Sequence, residues 1–134
     1  MAPAGENIRV VARFRPTSAR EVAAQSAEVV RFDDDARSVA VGAEDGAGNS
    51  FTFDGVLPPS STQSDTYGHV SGIVDAVLQG YNGTILTYGQ TGSGKTHSVM
   101  GTPSDPGLLP RAVQHVFKKL CDDSSGAHGA STSS

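Results

Sequence analysis

The chain has no tryptophan and only one cysteine, Cys121, among 134 residues. A single thiol cannot close an internal disulfide, so the sequence predicts no covalent staple and a reducing, cytosolic or nuclear setting. Long apolar runs are missing as well: nothing approaches the ~18 residues of a membrane-spanning helix. The opening MAPAGENIRVV lacks the basic and long apolar regions of a secretory signal. A basic surplus is also absent. The net charge of −4 argues against nucleic acid and anionic membranes as general partners, because both need a surface that neutralises phosphate. Hydrophobic residues make up 37%, while Gly 16 and Pro 7 mark extensive connecting loop. Without a secretory signal, the glycosylation triplet Asn82-Gly83-Thr84 reads as a turn.

What is present is a change of period along the chain. In NIRVVARFRP, Ile8, Val10, Ala12 and Phe14 alternate with Arg9, Val11, Arg13 and Arg15, the period of a strand, and Pro16 stops it. EVVRFDDDARSVAV predicts a hairpin turning at Asp33 to Ala36, with GAEDGAGNS as a loop before a strand over FTFDGVL. Asp33, Asp34 and Asp35 lack partnering ligands and read as a solvated turn, not a metal site. The period then lengthens. Val70, Ile73, Val74, Val77 and Leu78 form the apolar stripe of a helix, with Thr62 or Ser64 placed to cap its start and Gly80 its end. TILTY predicts a buried strand. KTHSVM begins a helix that GTPSDPG interrupts. It resumes over Arg111 to Leu120 with Val113, Val116, Phe117 and Leu120 on one face and Pro110 in its first turn. Residues 121–134 are rich in Ser, Gly and Ala and show no periodicity, which predicts a disordered tail.

Between TILTY and that helix, Gly89-Gln90-Thr91-Gly92-Ser93-Gly94-Lys95-Thr96 fits the phosphate-binding pattern G-x-x-x-x-G-K-[ST] at every fixed position. A polyphosphate must be surrounded by donors. Small residues let successive backbone amides point inward as a concave nest. Lys95 adds a mobile charge over the β- and γ-phosphates, and Thr96 offers Mg²⁺ a hydroxyl oxygen. The positive end of the following helix dipole faces the same anion. A preceding apolar strand and a following helix are the context the pattern requires.

Three segments in order resemble the N-terminal part of the kinesin motor domain: Arg13 to Pro16 (RFRP), Gly80 to Gly101 (GYNGTILTYGQTGSGKTHSVMG) and Gly107 to Phe117 (GLLPRAVQHVF). The resemblance covers about Asn7 to Leu120. It implies an α/β fold of the P-loop NTPase class, a mixed sheet of the kinesin type with flanking helices, here incomplete. Residues 1–6 are then an N-terminal extension, 7–120 the motor portion with its P-loop at 89–96, and 121–134 the tail. By resemblance the ligands are ATP and Mg²⁺, the partner a microtubule contacted mainly through family elements that these residues do not include, and the setting the cytoplasm and its cytoskeleton. Lys95 and Thr96 take the catalytic positions and Thr96 the metal. Arg13, Arg15, Pro16, Tyr88 and His97 flank the adenine, while Gly89, Gln90, Thr91, Gly92, Ser93, Gly94, Lys95 and Thr96 hold the phosphates. Imidazole, proline and guanidinium planes all suit a purine face. His69, His115 and His128 match no family site, and Ser98 replaces the usual threonine.

Two family motifs, S-S-R-S-H and D-L-A-G-x-E, occur nowhere in the chain. In kinesins they position water and sense the γ-phosphate, so the 134 residues are expected to be inactive in hydrolysis by themselves. Two readings follow: the nucleotide-holding part of an ATP-driven motor, or a module that binds nucleotide without hydrolysing it. A different P-loop NTPase is disfavoured by R-x-R-P. A parallel strand with unpaired neighbours also predicts only partial folding of this segment in isolation.

Overall fold

The computed structural model describes residues 8–25, 29–42 and 48–126. The expected N-terminal extension, most of the loop before FTFDGVL, His128 and the last eight residues of the expected tail lie outside them. The chain divides into two compact units, residues 1–62 and 63–134.

Among the described residues the first unit holds five short strands and one helix. β1 (Val11–Arg13) is shorter than the alternation suggested, and it pairs in parallel with β5 (Gly55–Leu57), with Ala12 opposite Val56. The pairing extends one rung past β1, where the Phe14 amide donates to the Leu57 carbonyl at 2.8 Å. β2 (Val30–Phe32), β3 (Ser38–Val41) and β4 (Asn49–Thr52) form an antiparallel sheet in that order. The predicted hairpin is therefore present. Asp35 makes its turn by accepting the amides of Arg37 and Ser38 at 2.8 Å each and the Ser38 hydroxyl at 2.9 Å. These bonds hold the Asp35 carboxyl below the usual carboxylate range.

FTFDGVL is two strands, not one. At Phe53 and Asp54 the chain changes partners: the Phe53 amide still reaches Arg37 in the antiparallel sheet, whereas the Asp54 amide donates to Val10. The Asp54 carboxylate accepts the Val10 amide at 2.7 Å and fastens the start of the parallel pair. Val39, Val56 and Leu57 are the buried apolar residues here, and Phe14 meets Phe32 edge-on with centroids 5.0 Å apart. α1 (Ala19–Ala23) starts with a capping box: the Ser18 hydroxyl accepts the Glu21 amide while the Glu21 carboxylate accepts the Ser18 amide.

The second unit is helical. The predicted helix before Gly80 is two, α2 (Gln63–Gly68) and α3 (Ser71–Leu78), separated by a tight turn at His69 and Val70. α2 begins directly after Thr62, one of the two expected caps. α3 ends in a Schellman motif, with Tyr81 donating to Ala76 and Gly80 to Val77 at 3.0 Å each, and Gly80 sits at φ 94° as the sequence required. α4 (Lys95–Met100) and α5 (Leu108–Gly126) follow, joined by the predicted interruption.

Two expectations fail in this unit. Ile85 to Tyr88 form no strand: among the described residues nothing pairs with them, and Leu86 is 85% exposed. A strand is defined by its partner, so β-rich composition without a neighbour leaves the run unladdered. The helix expected to stop at Leu120 instead continues to Gly126, so six residues assigned to the tail are helical. Its apolar stripe exists but is uncovered, with Val113, Phe117 and Leu120 all exposed; the buried residues among those described in the unit are Gln63, Thr66, Val74, Gly107 and Leu108.

Candidate nucleotide site

The loop from Gly89 to Thr96 turns through two left-handed glycines, Gly92 at φ 81° and Gly94 at φ 96°. Side-chain-bearing residues avoid this region, and it is these two reversals that redirect the amides on the way into α4. The Ser93 amide closes a turn onto the Gln90 carbonyl at 3.2 Å. Gly94 stands at the cap position with no side chain to satisfy the first helical amides, so those donors are left for an external acceptor.

Lys95 lies back over the loop. Its ammonium donates to the carbonyl oxygens of Gly89 at 2.6 Å and Gln90 at 2.7 Å. The charge is thus gathered at the mouth of the loop and held by neutral acceptors, which an anion would replace at a gain. Thr96 is exposed and adjoins it. An open hollow of about 280 Å³ is walled by Thr87, Lys95, Thr96, Val99 and Met100. Beyond Lys95 and the hydroxyls of Thr87 and Thr96 those walls are the apolar Val99 and Met100, so the loop amides, not the hollow, are the natural anion seat.

The remaining predicted contacts divide between the two units. Tyr88 is 98% exposed and His97 presents an exposed side chain on α4, so these two and the loop residues Gln90, Thr91 and Ser93 belong to one contiguous segment. Arg13, Arg15 and Pro16 belong to the other unit. There Arg13 ends β1 opposite Leu57. Arg15 is gripped by Glu21, with guanidinium nitrogens 2.5 and 2.8 Å from the two carboxylate oxygens, and also donates to the Pro16 carbonyl at 3.0 Å. That pairing raises the Arg15 pKa and holds the Glu21 carboxyl far below the usual range.

The sequence reading missed a polar cluster behind the loop helix. The Gln63 amide group, 1% exposed, donates to the His97 carbonyl at 2.6 Å. One turn along α2, the Tyr67 hydroxyl meets His115 Nδ1 at 2.8 Å, and His115 Nε2 meets Asp75 at 3.1 Å. The one available signal was the spacing of Gln63 and Tyr67, four apart and therefore on one helix face; nothing in the sequence pointed to His115 as their counterpart.

Comparison with known proteins decides the family. The kinesin motor domain profile matches residues 13–132. The chain belongs to the kinesin motor domain family. It is 42% identical over 125 residues to kinesin-like protein KIF3C of Bos taurus, covering 87% of this chain and 16% of that protein. Kinesin-like protein KIN-5A of Arabidopsis thaliana is 43% identical over 129 residues, covering 87% of this chain and 12% of its own. A solved structure described as a fast kinesin, with implications for ATPase mechanism and interactions with microtubules, superposes with a TM-score of 0.76 at 40% identity. The match covers 83% of this chain and 32% of that one. The chain therefore spans about one sixth of the length of the curated kinesin relative with which it shares 42% identity, and the α/β, P-loop kinesin fold is present in part. No described helix is long and apolar enough to cross a membrane.

Proposed function

We propose that these residues are the nucleotide-holding part of a microtubule motor that binds and hydrolyses ATP with Mg²⁺ in the cytoplasm, on the cytoskeleton. The supporting observation is the Gly89–Thr96 loop: two left-handed glycines turn its amides, and Lys95 rests on the Gly89 and Gln90 carbonyls, ready to exchange them for phosphate. This donor set fits a magnesium polyphosphate. Thr96 would offer its hydroxyl to the metal, whose bound charge neutralises the developing negative charge of phosphoryl transfer. Lys95 and the loop amides bind and orient the phosphates. Tyr88, His97, Arg13, Arg15 and Pro16 are assigned to the base, where planar side chains suit a purine.

Titration of the full chain with a fluorescent ATP analogue, wild type against Lys95→Ala, tests the reading. Affinity that depends on Lys95 supports it, and equal affinity refutes it.

A second reading, nucleotide binding without hydrolysis or movement, draws on the absence of S-S-R-S-H and D-L-A-G-x-E from the 134 residues. Water needs a group to position it before it can attack a γ-phosphate. Residues 1–134 by themselves are expected to show no steady-state ATP turnover with or without microtubules. Measured turnover would remove this second reading.

A further inference from the structure

Three helices of the second unit meet at His115. Asp75 on α3 presents a carboxylate, which only accepts, so His115 Nε2 is the donor across their 3.1 Å contact. In the neutral ring Nδ1 is then the acceptor, and the Tyr67 hydroxyl on α2 donates to it at 2.8 Å. The rings also touch edge to face, with centroids 6.1 Å apart. Tyr67 is thereby fixed along its length. Burial, and secondarily the nearby Asp75 charge, raise its pKa, which keeps the hydroxyl protonated and able to donate.

Tyr67 and Gln63 lie one turn apart on the short helix α2, so fixing one fixes the other. Gln63 is nearly fully buried, and its 2.6 Å bond goes to the His97 carbonyl in α4. That carbonyl also accepts the Gly101 amide at 2.8 Å, the bond that ends α4. His97 immediately follows Lys95 and Thr96. The route from Asp75 to the loop helix thus consists of side-chain hydrogen bonds and one rigid helical turn.

We propose that Asp75, His115 and Tyr67 form a strap that, through Gln63, sets the position of α4 and hence of the Lys95 and Thr96 donors. His115 is a positioning residue for phosphate binding, at a distance from the phosphate itself. The effect on nucleotide rests on the P-loop reading above; the effect on α4 does not.

The test uses the full chain and two readouts: affinity for a fluorescent ADP with Mg²⁺, and amide hydrogen exchange across Lys95 to Met100. His115→Ala and Gln63→Ala are each expected to weaken binding roughly tenfold, as losses behind a binding site do, and to speed exchange in α4. The double variant should be no weaker than the weaker single, because both cut the same route. His115→Gln, which keeps a donor and an acceptor, should recover most of the affinity, while Tyr67→Phe should resemble His115→Ala. Should His115→Ala fail to fold, His115→Gln and Tyr67→Phe carry the same comparison. Independent, multiplying effects of His115 and Gln63, or faster exchange confined to α2 and α5, would overturn the strap. If wild type binds no nucleotide, the P-loop reading fails by itself, and exchange in α4 still decides whether the strap exists.

Discussion

Arg15 and Glu21 face each other as a two-pronged ion pair, 2.5 and 2.8 Å between their nitrogens and oxygens, across the start of a helix that Glu21 also caps. The family resemblance assigns Arg15 to the purine, yet its guanidinium is already occupied. Stacking remains open to it, because a planar cation can present its face while its edge is paired. Glu21 is depressed first by the Arg15 hydrogen bond and then by the bonds from Ser18. A carboxylate with a lowered folded pKa contributes stability that is present above its unfolded value and lost as pH falls through the folded one. Glu21 should therefore stay ionised at pH 4.5, where an unperturbed glutamate is half protonated. An NMR titration of its side-chain carbon checks this, and the depression should shrink in high salt because the pair is exposed.

Lys95→Ala removes the charge that the loop holds in reserve on the Gly89 and Gln90 carbonyls. Affinity for magnesium ATP should fall about hundredfold, on the order of 3 kcal/mol. Calorimetric or fluorescence titration of the two proteins measures it.

Glycines in this unit differ sharply in what they tolerate. Gly101 sits at φ 70°, and a methyl group there would run into the Gly107 amide and the Asp105 carbonyl. The Thr102–Asp105 turn and the Arg111 contacts to Asp105 and Pro106 hold those atoms in place. Gly101→Ala should cost about 2–4 kcal/mol of stability. Gly72 in α3 has nothing within 4 Å of the same position, so Gly72→Ala should be neutral or stabilise by up to about 1 kcal/mol. Denaturant titration of both variants gives the contrast.

Tyr67 supplies an alkaline signature. A group whose folded pKa is raised contributes stability that is complete below its unfolded value and lost as pH rises through the folded one. Its link to His115 should thus survive to pH 10, the ordinary tyrosine value, and fail above it. With no tryptophan in the chain, phenolate absorbance is uncluttered, and wild type minus Tyr67→Phe isolates the late ionisation. A difference curve with its midpoint at or below pH 10 would contradict it.

The local rules held where the sequence carried a local cause. Gly80 had to be left-handed to end α3, Asp35 could reach the amides two and three residues ahead of it, and the glycines of the loop had to reverse the chain; each is visible in a few neighbouring letters. What was not legible depends on residues distant in sequence. The splitting of FTFDGVL arises because Phe53 and Asp54 bond to different strands, a fact about Arg37 and Val10. Thr84 to Tyr88 had every compositional mark of a strand and lacked only a neighbour. His115 matched no family site, and its partners, Tyr67 and Asp75, are 48 and 40 positions away. The antiparallel hairpin and the phosphate loop were readable because they are written in contiguous motifs; the parallel pairing of β1 with β5 and the polar cluster behind α4 were not.

The unladdered stretch ahead of the loop makes a scissile point. A protease that prefers aromatic residues would find Tyr88 almost wholly accessible, with no sheet bonds to break before the backbone enters its cleft. Cutting there would part Tyr88 from Gly89, at the rim of the phosphate seat. Resistance to that cut on adding nucleotide would make digestion a direct gauge of occupancy.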